Sequence, residues 1–168
     1  MLRIGTWRSA GSLGMVVCGW HDGDPGPLET GIKLIYGMGG PMPDFPGLRV
    51  GALMATSAEE ISEALFQGID VVATAPDCCP SAPVVAAGMW HYGWTGSHSG
   101  ALAGATVAGL VMAAQPGPCA VEIHRDGRSS LDGDVRAETV RARLAGTVPL
   151  ESVRLSQEAP SRLLITPC

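Results

Sequence analysis

Asparagine is absent from this 168-residue chain, and lysine occurs once, at Lys33. Charge of any sign is scarce: Asp, Glu, Lys and Arg together make 16% of residues, with a formal net charge of −5. No clustered positive field is available to hold nucleic acid or an anionic membrane, so neither is expected as a partner. Long apolar runs are missing too. The longest, Ala101 to Ala114, falls short of the ~20 residues a bilayer-spanning helix needs. Met1 to Trp20 carries Arg3 and Arg8 but no uninterrupted apolar stretch before a cleavage site, which argues against a signal peptide. Cysteines number five (Cys18, Cys78, Cys79, Cys119 and Cys168), an odd number scattered through a chain too large to need disulfide staples. Reduced thiols and a cytoplasmic location are the expectation.

What the chain does have is core material: 46% hydrophobic residues and 23 glycines in a length that suits one domain. Leu2 to Trp7 alternates as a strand, and Ser9 to Gly14 makes a glycine-bearing turn. Met15 to Trp20 is either a helix after that turn or, from its β-branched residues, a strand. Gly31–Gly37 and Leu48–Ala55 read as strands, separated by a loop stiffened by Pro41, Pro43 and Pro46. Ser57 and Glu60 form a capping box for a helix closed by Gly68, and Ile69 to Ala75 is a nearly continuous apolar strand. A short helix over Ser81–Gly88, a strand over Trp90–Thr95 and a small-residue helix over Ser99–Gln115 follow. After Pro116-Gly117-Pro118 come a strand at Cys119–His124, a helix at Asp134–Ala145 and two strands at Leu150–Ser156 and Arg162–Thr166. The order predicts one α/β domain over residues 1–168. Residues 1–115 would form a largely parallel, Rossmann-like sheet and 116–168 a short C-terminal α+β extension.

Four segments bear chemistry. Gly11, Ser12 and Gly14 occupy a turn of the kind that lets a pyrophosphate approach backbone donors, although Ser9 stands where the first glycine of G-x-G-x-x-G belongs. Asp77-Cys78-Cys79-Pro80 follows the apolar strand and precedes a helix, where a thiol can act as a nucleophile with His91 or His98 as its base. The same cysteines and histidines do not fit zinc-ligand spacing, so no metal is expected. Trp90 to Gly100 gathers aromatics, two histidines and hydroxyls, with Thr95, Gly96 and Ser97 suited to a pocket wall. Glu122 and His124 share one face of a late strand beside an Asp-Gly turn, and Arg136, Arg141 and Arg143 read as the wet side of the late helix.

Arg3-Ile4-Gly5-Thr6-Trp7 with Gly11 and Gly14, then Ser57 to Gly68, Asp70-Val71-Val72, Ala87-Gly88 and Trp94-Thr95-Gly96, resembles the nucleotide-binding half of dihydrodipicolinate reductase-like dehydrogenases over about the first 100 residues. The resemblance implies NAD or NADP lying across Gly11, Ser12, Leu13 and Thr95-Gly96. Its substrate half has no counterpart, since no lysine follows Gly96. The expected function is therefore nucleotide or dinucleotide binding, as an NAD(P)-dependent oxidoreductase or part of one, with His98 as the acid–base group. Two alternatives stand beside it. One is a cysteine-dependent lyase, isomerase or hydrolase acting on a small molecule through Cys78 or Cys79. The other is a non-catalytic homo-oligomeric module joined through helix 99–115.

Overall fold

The computed structural model describes residues 2–9, 12–19, 32–37, 50–55, 57–69, 71–74, 78–115, 119–146 and 150–168. The strands are β1 Leu2–Ser9, β2 Ser12–Gly19, β3 Ile32–Gly37, β4 Val50–Ala55, β5 Val71–Thr74, β6 Ala120–Ile123, β7 Ser129–Asp132, β8 Val153–Ala159 and β9 Arg162–Pro167. The helices are α1 Ala58–Phe66, α2 Ala82–Tyr92, α3 Ser99–Ala113 and α4 Ala137–Leu144. Among the described residues, all nine strands join one sheet in the order β4-β5-β3-β2-β1-β6-β7-β9-β8. No helix among the described residues is long and apolar enough to cross a membrane.

This is not the largely parallel Rossmann-like sheet that the sequence suggested. Only β4–β5 and β5–β3 pair parallel. The other six neighbouring pairs are antiparallel. The departure begins at the first turn. β1 and β2 zip together with Leu2 opposite Gly19 and Ser9 opposite Ser12, so a second strand, not a helix, follows strand one. The β-branched content of Met15-Val16-Val17 prevails over the glycine turn's hint of a helix. β2 then pairs antiparallel with β3, Cys18 facing Ile32. A phosphate loop needs a helix N-terminus after its glycines. Here Ser12 and Gly14 are ladder residues opposite Ser9 and Trp7, while Gly11 lies outside the described residues. The Rossmann-like reading is overturned by that hairpin.

Local rules succeed where the chain is its own context. Ser57 Oγ accepts from the Glu60 N–H at 3.2 Å, and the Ser57 N–H donates back to Glu60 Oε2 at 3.3 Å. That reciprocal cap starts α1, whose Ile61, Ala64 and Leu65 are buried. Gly68, at φ +79°, ends it.

The strand predicted over Trp90–Thr95 does not form. α2 continues through Trp90, His91 and Tyr92 and stops at Gly93, which takes a left-handed φ of 71°. Gly88 is not a terminator: Trp94 folds its ring onto it, and a Cβ there would sit 1.9 Å from a ring carbon. Trp94 is 2% exposed in consequence. Close tertiary packing has overridden the strand preference of Trp90 and Tyr92.

α3 is rich in small residues for the same kind of reason. A Cβ on Gly104 would lie 2.2 Å from the Gly127 carbonyl, and one on Gly109 would lie 2.6 Å from Ser81 Cα. The helix is thus wedged between the β6–β7 turn and the start of α2. The Gly104 face of this helix, within the 99–115 segment expected above to join a second copy, is occupied within the chain by Gly127 and Pro167.

The C-terminal strands complete the same sheet, since β6 pairs with β1 through Ile123 opposite Leu2. Val121, Ile123, Leu131, Leu163 and Ile165 are fully buried in the core cluster shared with the helices. Glu122 and Asp132, which alternate with them, are on the other face, where Arg162 comes within 3.8 and 3.9 Å of them and 3.4 Å of Glu158. These pairs are partly exposed and contribute about 0–1 kcal/mol each.

Candidate functional site

β3, β4 and β5 run parallel, so Gly37, Ala55 and Thr74 all end at one edge of the sheet. β1 and β3 are both antiparallel to β2, which brings the Ser9 end of β1 to that edge as well. In α/β sheets ligands sit beyond the carboxyl ends of parallel strands. The next described residues in the chain after β5 are Cys78, Cys79, Pro80 and Ser81, leading into α2.

Cys79 is exposed, and its sulfur lies 3.1 Å from Ser81 Oγ. Ser81 is 5% exposed, with α3 packed against it through Gly109. It precedes α2 yet makes no side-chain capping bond; its hydroxyl turns to the thiol instead. The Cys79 carbonyl accepts from the Ala82 N–H at 2.9 Å, which fixes the turn that presents the sulfur. Cys78 is half-buried, with its thiol 3.8 Å from the Cys79 carbonyl oxygen. Sequence reasoning found the cysteines but passed over Ser81. A serine two residues beyond an exposed thiol, at the start of a helix, was the available signal.

The histidines lie elsewhere. α2 has 11 residues and so spans about 16 Å, carrying His91 to its far end. There the Tyr92 hydroxyl donates to the Ile123 carbonyl at 2.7 Å, and Trp94 Nε1–H donates to the Arg125 carbonyl at 2.9 Å. Ile123 faces Leu2, at the start of β1, whereas the Ser9 turn is at its end. An eight-residue strand is roughly 25 Å long. Ser12 and Gly14 therefore lie at the opposite pole of the sheet from Thr95, Gly96 and Ser97. Cys78 and Cys79 are separated from His91 and His98 in the same way. No group of three or more metal-ligating side chains comes together among the described residues.

At that far pole, His98 Nδ1 accepts from the Thr95 N–H at 3.1 Å and lies 3.2 Å from Thr95 Oγ1. Thr95 Oγ1 and Ser97 Oγ are 2.8 Å apart. With Nδ1 accepting, the neutral ring carries its proton on Nε2. These four residues, Gly96 included, are exposed and organise the turn between α2 and α3. The rings of His91 and Tyr92 meet edge to face at 4.6 Å, and Tyr92 and Trp94 lie 5.4 Å apart. The Arg125 guanidinium lies 5.7 Å from the Tyr92 ring centre. Nearby, burial tends to raise the Asp126 carboxyl. The Arg128 backbone N–H, its guanidinium hydrogen bond and charge, and His124 outweigh that and hold the carboxyl below its ordinary value.

A family model described as acyclic terpene utilisation family protein AtuA matches residues 50–116. That span runs from β4 to just past α3 and includes Cys78, Cys79 and Ser81, but covers less than half of the chain. No curated protein and no solved structure matches the chain.

Proposed function

We propose that the chain binds a small molecule of the acyclic terpenoid class at the carboxyl edge of β3, β5 and β4, and that Cys79 is its reactive group. A thiol there can add to the electrophilic carbon of an unsaturated or activated carbonyl compound. As the C–S bond forms, the thiol proton leaves to solvent and the attacked π bond breaks, its electron pair shifting onto the carbonyl oxygen as an enolate or tetrahedral oxyanion, the opening step available to a lyase, isomerase or hydrolase. The single observation that carries the reading is the exposed Cys79 sulfur 3.1 Å from a buried Ser81 hydroxyl, in the segment between β5 and α2. The match of this segment to the acyclic terpene utilisation family suggests the ligand class. The separation of Gly14 from Thr95 favours this reading over nucleotide binding.

Timed alkylation with iodoacetamide, read by peptide mass, tests it. Cys79 is expected to be labelled fastest of the thiols. A panel of acyclic monoterpenoid alcohols, aldehydes and carboxylates should contain at least one member that slows labelling of Cys79 and leaves Cys168 unaffected. Equal protection of both thiols, or protection of neither by any member, would refute the proposal.

A further inference from the structure

α4 was read from sequence as a helix with a wet arginine face, but its arginines are not equivalent. Arg141 donates to the Leu155 carbonyl at 2.8 Å, covering an acceptor on the outer strand β8. Arg143 donates to the Ala114 carbonyl at the end of α3. Arg136, at the start of α4, makes no side-chain capping bond, and no carboxylate lies within 4.0 Å of it among the described residues.

Arg136 stands on the rim of a cleft of about 270 Å³ between α4 and the C-terminal end of α3. The walls include Val111, Val135, Val140 and Leu144, all buried, branched and aliphatic, with no aromatic ring. Asp134, Thr139 and Gln115 complete the rim beside the two arginines. The volume is a little under the usual range for drug-sized ligands, which selects something shorter. The C-terminal end of a helix ordinarily repels an anion. Here Arg143 answers the Ala114 carbonyl, and Gln115 Nε2 donates to the Val111 carbonyl at 2.8 Å, so two of the carbonyls at that end already have donors.

We infer that this cleft binds a short branched-chain carboxylate, with its alkyl group on Val111, Val140 and Leu144 and its carboxylate on Arg136. The cleft is a second site. Gly109 faces Ser81, whereas Val111, two residues on, lines the α4 side of α3, so the helix stands between this cleft and Cys79. The inference stands or falls independently of the thiol.

Calorimetric titration of isovalerate, and of its neutral isostere isovaleramide, decides the matter. Isovalerate should bind the wild-type chain and isovaleramide roughly tenfold more weakly, the difference expected of one charge-assisted contact. Arg136→Ala should weaken isovalerate by a similar factor, and Thr139→Phe, which fills the cleft from its exposed rim, should abolish binding. Both substitutions are at exposed positions, and thermal melts matching wild type would show that the fold is kept. Failure of isovalerate to bind, or equal binding to wild type and Arg136→Ala, would overturn the inference. So would undiminished binding to Thr139→Phe in a folded variant.

Discussion

The two ends of α2 put their polar and reactive side chains to opposite purposes. At its C-terminal end, Tyr92 and Trp94 spend their hydrogen bonds on the carbonyls of Ile123 and Arg125, and His98 Nδ1 holds the next turn. At its N-terminal end, Ser81 forgoes capping and points its hydroxyl at an exposed thiol. Aromatics and histidines crowded in sequence drew attention to the first end. The geometry makes that end a joint and leaves a thiol exposed at the other.

The largest effect that would sharpen this contrast is steric. Gly88→Ala puts a methyl group within 1.9 Å of the Trp94 ring. It should cost about 3 kcal/mol or more, because a ring wedged between helix and turn has nowhere to retreat. Trp94→Ala should cost a comparable 3–5 kcal/mol through the cavity it leaves. Urea melts measure both. A change below 1 kcal/mol in either would show that the aromatic end is not a structural joint.

Tyr92→Phe removes only the hydroxyl that donates to Ile123. An expected loss of about 1 kcal/mol follows from leaving a partly buried carbonyl short of a donor. The same substitution should leave Cys79 alkylation unchanged, since about 16 Å of helix separates them. A changed labelling rate would mean that the two ends are coupled.

The smallest effect concerns Asp126. Its carboxyl is held below the ordinary value of 3.8, so the ionised form is favoured by folding. That contribution is fully present above the unfolded value and is lost as pH falls through the lower folded value. Asp126→Asn should flatten the acid limb of stability below about pH 4, by a few tenths of a kcal/mol for so exposed a pair. An unchanged acid limb would remove the Arg128 pairing from the account.

Residues whose structure depends on near neighbours were legible in the sequence. The Ser57–Glu60 cap, the Gly68 stop, the α3 and α4 segments and the two last strands were found because each rests on spacing within a turn or two. What failed depended on distant chain. Ser9 to Gly14 serves a phosphate loop or a hairpin equally well, and only pairing with β3 and β6 decides between them. Gly88 looks like a helix stop until Trp94 is placed on it, and Gly104 looks like an outer contact until Gly127 fills it. The candidate site was half legible. Cys78 and Cys79 stood out, but Ser81 becomes significant only when Gly109 is seen to press α3 against it.

The most direct measurement places both ends of α2 in one experiment: ligand-induced thermal shifts with the acyclic terpenoid that best protects Cys79. The shift should vanish in Cys79→Ala and persist at full size in His98→Ala. Persistence in Cys79→Ala together with loss in His98→Ala would move the site to the aromatic pole and contradict the assignment made here.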